Sequence, residues 1–155
     1  MKYFTRAKYN AMQGDPGLPG VEAARVEWIA VLEDYKAHVQ KILPALPPGA
    51  RKFCHATLHD GQVERISRSG EDLSVRLSRE HGIGETNDIE IILRKIQSSP
   101  SVPTATGCWL HEEVHLRGDG MVELHVLLHD TEFVVVAKDI EIVRADRRPR
   151  SGHGI

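Results

Sequence analysis

The sequence predicts an α+β fold, with N-terminal helices packed on a mostly antiparallel β-meander sheet. Three observations carry this. Apolar residues recur every three or four positions ahead of Pro44 and every second position beyond Gly61. The strand-like runs follow one another through short connections, which favours antiparallel pairing over βαβ units. The chain has 155 residues, 41% hydrophobic and 27% charged, enough for one domain with a core that needs no disulfide or metal staple. The single domain is placed at residues 1–144, with 145–155 as a flexible basic tail.

The elements follow in order. "MKYFT" has the aromatic and β-branched content of a short strand. "GDPGLPG" (14–20) carries glycine at every third residue, but seven residues cannot make a collagen triple helix, so it reads as a turn and helix entry. In 21–43, Ala24, Trp28, Val31, Leu32, Tyr35, Val39, Ile42 and Leu43 fall on one helical face. Pro44 ends that helix. Trp28, Val31, Leu32, Tyr35 and Val39 are expected to pack on the sheet, and truncating Leu32 to alanine is expected to cost about 2–5 kcal/mol. A short helix through Phe53 and Leu58 ends near Asp60-Gly61. "QVERIS", "DLSVRLS" and "DIEIILRKI" then read as strands, separated by "RSGED" and "REHGIGETN". "QSSPSVPTATG" reads as a loop, and three more strands are expected at about 108–116, 121–129 and 132–143.

Net charge is −2 and the sequence pI near 6.5, without the basic excess of a general nucleic-acid binder. Two cysteines, Cys54 and Cys108, form neither a CxxC pair nor a zinc-ligand spacing. No apolar run suits a signal peptide or a membrane span. The expected setting is cytoplasmic, with no membrane and no nucleic-acid partner. P-loop, GxGxxG and GxSxG motifs are absent. Arg51, Lys52 and His55 flank Cys54, a setting that can lower a thiol pKa, although a structural cysteine in a short helix is the plainer reading. His59-Asp60 could form an acid–base pair, but Asp before Gly is ordinary turn chemistry.

The stretch "WLHEEVHLRGDGMVELHVLLHD" (109–130) holds four of the nine histidines. Even positions Cys108, Leu110, Val114, Leu116, Val122, Leu124, Val126 and Leu128 form an apolar face, with Glu112 as the exception. Odd positions form a polar one. A two-residue turn at Gly118-Asp119 would mix the faces, so a longer loop is expected to pair Leu116 with Val122, His115 with Glu123 and Glu113 with His125. A two-residue turn at Asp130-Thr131 would then pair Leu128 with Phe133 and Glu123 with Lys138. This makes the histidines a surface belt with charge pairs across the strands. Arg117-Gly118-Asp119 has the letters of an adhesion signal, which turn chemistry alone explains. His115, Glu123, Glu113, His125 and His111 are the candidate metal ligands, because imidazole with carboxylate suits Zn, Ni or non-haem Fe. "HEEVH" has the letters of the zincin motif but lies on a strand, where residues i and i+4 stand about 13 Å apart and cannot share one zinc.

"MKYFT", "LHDG" followed by "VERI", "LSVRLS", and "WLHEEVHL" through "VELHVLL" to "KDIEI" together resemble an uncharacterised family of bacterial proteins, a domain of unknown function whose members begin Met-Lys-Tyr-Phe-Thr. The resemblance implies no activity, cofactor or catalytic residue. It also makes the histidines local substitutions, since such members carry tyrosine where this chain has His111. The reading that follows is a non-enzymatic partner-binding module, immunity-like or accessory, with no cofactor and an unknown protein partner. The alternative is a small metal- or ligand-binding enzyme using the His/Glu belt.

Overall fold

The computed structural model describes residues 1–78, 88–97 and 107–144. The expected basic tail and the loops around 79–87 and 98–106 lie outside the described residues. Among the described residues, four helical segments precede seven strands: α1 (Arg6–Met12), α2 (Pro19–Ile42), a 3-10 turn (Leu43–Ala45), α3 (Pro48–Phe53), then β1 (Gln62–Ser69), β2 (Asp72–Ser78), β3 (Ile89–Arg94), β4 (Trp109–Leu116), β5 (Val122–Leu128), β6 (Glu132–Ala137) and β7 (Asp139–Arg144). The α+β class is as the sequence predicts.

The strands form two antiparallel sheets rather than one meander. Sheet order is β1-β2-β3-β7 in the first and β4-β5-β6 in the second. The last run therefore divides at Lys138, where the chain leaves the second sheet and pairs β7 with β3, Ile91 opposite Ile142. The Lys138 N–H donates to Arg94 O at 2.8 Å as the strand crosses over. Alternation explains why two sheets form. Leu73, Val75 and Leu77, with Ile89, Ile91 and Leu93, give the first sheet one apolar face. Val122, Leu124 and Val126, with Phe133 and Val135, give the second another. All of these belong to one buried core, which α3 extends through Ala50 and Phe53. The opposite face of the first sheet is polar, with Arg94 bridging Asp72 and Glu141 at 2.8 and 2.7 Å.

Asp139 ties α3 to this core. Its carboxylate accepts the N–H groups of Gly49 and Ala50 at 3.2 and 2.7 Å, filling donors that the start of a helix leaves open. The backbone approach leaves no room for a side chain at residue 49, where a Cβ would collide with Ile140 O and the Asp139 carboxylate.

α2 lies over the second sheet and makes a smaller core there. Phe4, Trp28 and Val31 are buried in it, with Tyr3, Tyr9, Met12 and Tyr35 packed around them. Two expectations change. "MKYFT" is irregular backbone rather than a strand, and its Thr5 hydroxyl accepts the Lys8 N–H to cap α1. Leu32 is 41% exposed, because the helix presents Trp28, Val31 and Tyr35 to the sheet and turns Leu32 to the rim. Trp28→Ala is expected to cost about 3–5 kcal/mol and Leu32→Ala under about 1 kcal/mol. Urea denaturation midpoints of the two variants check this ordering.

Candidate functional site

The polar face of the β4–β5 hairpin is covered, not exposed. The hairpin register is the expected one: Leu116 pairs with Val122, His115 with Glu123 and Glu113 with His125. The connecting loop has Arg117 N donating to Met121 O, with Gly120 at φ +80, a conformation glycine adopts freely. Arg117 and Asp119 face each other at 3.3 Å, so the Arg-Gly-Asp triplet closes a turn on itself. The β5–β6 register differs by two residues from expectation. Leu124 pairs with Val135 and Glu123 with Val136, because the turn takes four residues, with Leu128 N donating to Thr131 O. An even shift preserves both faces, so patterning alone does not exclude it.

A β-bulge at Leu110 separates Trp109, which pairs with Leu128, from His111, which pairs with Leu127. The extra residue flips the start of β4. Trp109 points into the main core, fully buried, and its indole N–H donates to Glu112 Oε2 at 2.7 Å. Glu112 is the one acid on the apolar face. Burial pushes its carboxyl up to about 7, against the opposing effects of the Trp109 donor and nearby His59.

Glu113, one residue on, points the other way and is fully buried. Its two oxygens accept the backbone N–H groups of Lys2 (2.8 Å), Tyr3 (2.7 Å) and Phe4 (2.7 Å), and face His115 Nε2 at 3.0 Å. Burial alone would raise its pKa. The His115 contact and the three amide donors override that and hold it down at about 2. Irregular backbone so close to a sheet needs partners for its amides, and this carboxylate supplies them.

Around Glu113 lies a seam of imidazole and aromatic rings. His38, from α2, contacts the His115 ring at 4.9 Å between centroids, and His115 contacts His125 at 5.2 Å. His111 sits against Phe4 and Trp28, each at 4.9 Å, and 5.2 Å from His59. Burial among these rings, then His59, lowers the His111 pKa to about 4. Burial also lowers that of His38, with His115 and Lys2 adding to it against the Val114 carbonyl and Glu113. α2 in addition finishes the outer edge of β4. The Val114 N–H donates to the Tyr35 hydroxyl at 2.8 Å, and Val114 O meets His38 Nε2 at 3.2 Å.

The five candidate ligands thus lie on one face, but their side-chain pairing follows the strands. His115 bonds Glu113 and His125 bonds Glu123 (2.6 Å), each partner two residues away on its own strand, rather than across the hairpin. Among the described residues, no group of three or more His, Cys, Asp or Glu side chains is placed to hold a metal ion. His59 Nδ1 comes within 2.8 Å of Asp60 Oδ2, without hydrogen-bond alignment. Asp60 has φ +64, the left-handed turn geometry that aspartate tolerates. Burial raises the Cys54 thiol to about 11, so its basic sequence neighbours do not activate it. Sequence reasoning placed Tyr35 on the sheet-facing side of α2 but missed His38 and Phe4, whose places in the seam depend on how α2 and the N-terminal segment dock.

A family model described as "Protein of unknown function (DUF4085)" matches residues 23–137, from α2 through β6. No curated protein and no solved structure matches the chain.

Two outcomes are expected. Glu113→Gln replaces an acceptor-only group with an amide and should cost about 2–4 kcal/mol at pH 7, read from chemical denaturation. The Glu113 contribution, set by a folded pKa below the unfolded one, is present above pH about 4.5 and lost as pH falls towards 2. Glu112 has the opposite sign. Its folded pKa lies above the unfolded value, so it erodes stability as pH rises from about 4.5 to 7. Glu112→Gln should therefore stabilise the fold by about 1–3 kcal/mol at pH 8 and by nothing resolvable at pH 4.5. Parallel denaturation curves at the two pH values check it.

Proposed function

The chain belongs to the DUF4085 family, proteins of unknown function, and we propose that its role is that of a non-enzymatic cytoplasmic module that binds a protein partner. One observation carries this reading. The outward face of α2 leaves Val26 68%, Ile29 61% and Leu32 41% exposed, with Leu18, just before the helix, at 54%. Contiguous large apolar side chains on a helix face cost solubility and are the usual mark of a docking surface. The opposite face of the same helix closes over the histidine seam, where the Glu113 oxygens are engaged by four donors and the His111 ring is packed between Phe4 and Trp28. Glu113 fastens the N-terminal segment, while His111 and His115 pack on Trp28 and His38 of the helix. The helix in turn is held as a rigid platform.

A second reading, a small metal- or ligand-binding enzyme using His111, Glu113, His115, Glu123 and His125, draws on one feature. His125 Nδ1 is buried with no hydrogen-bond partner among the described residues, an acceptor or donor left over for a bound group.

The two readings separate by variant. Ile29→Glu should leave the denaturation midpoint unchanged within about 0.5 kcal/mol, as for an exposed position, and should abolish chemical cross-linking to partner proteins in extracts of the source cells. His125→Ala should leave that cross-linking intact. Stoichiometric Zn, Ni or Fe in untagged purified protein, lost in His115→Ala and His125→Ala, would instead favour the enzyme. Cross-linking that is insensitive to Ile29→Glu counts against the docking face.

A further inference from the structure

We draw no further inference here: the strongest candidate, the outward apolar face of α2 at Val26 and Ile29, already carries the docking role proposed above, and nothing in the structure shows what covers it.

Discussion

Glu113 is buried, no lysine or arginine side chain among the described residues forms an ion pair with it, and its charge is held by three consecutive backbone amides and one imidazole. A desolvated carboxylate is costly unless its lone pairs are met by donors. Meeting them here requires Lys2, Tyr3 and Phe4 to lie directly on β4. That in turn fixes Phe4 against Trp28 and His111, starts α1 at Thr5, and brings Arg6 to the β5–β6 turn, where it donates to the carbonyls of Leu128, His129 and Thr131. The N-terminal segment, both first helices and the second sheet are thereby joined through one side chain.

β4 is the element on which the two halves of the protein meet. Its beginning pairs briefly with β1, through Gln62 and Cys108, and so stitches one sheet to the other. Its middle is finished by Tyr35 and His38 from α2. The bulge at Leu110 lets one strand serve both tasks, since it turns Trp109 into the main core and leaves His111 under the helix. It also sets two adjacent residues, Glu112 and His111, in environments with opposite effects on stability. The neutral acid favours low pH and the neutral imidazole favours high pH. Between about pH 4.5 and 6.5 the slopes from these two residues oppose one another.

α2 has two distinct faces. The inner one carries Trp28, Val31, Tyr35 and His38 and is fastened to the sheet by packing and by the hydrogen bonds at Val114. The outer one carries Val26 and Ile29 among charges of both signs. Because the inner face supplies the rigidity, the outer one can present apolar side chains without being drawn into the core. Histidines that look in sequence like a reactive set thus contribute to holding α2 against the second sheet.

Much of the fold was legible because it follows from period. Alternation in β2, β3 and β5 and the three-and-four spacing in α2 define which side of each element is apolar, and the β4–β5 register follows from keeping the faces separate. The candidate site was legible in part. The sequence placed His111, Glu113, His115, Glu123 and His125 on one face, and they lie there. It did not reveal that the face is covered. Leu32 was misassigned because it sits at the edge of the apolar stripe, where a small rotation of the helix decides between core and rim. The β5–β6 turn and the passage of the chain from β6 to β7 were not legible either, since even register shifts and changes of sheet leave alternation intact. What the sequence by itself determined are local properties: element type, the apolar face of each element, and the pairing of neighbours joined by a tight loop. What only the tertiary structure decided is which faces meet. That choice depends on the bulge at Leu110 and on the amides that satisfy Glu113, and a carboxylate's pattern in sequence is the same whether its partners are water or a distant stretch of backbone.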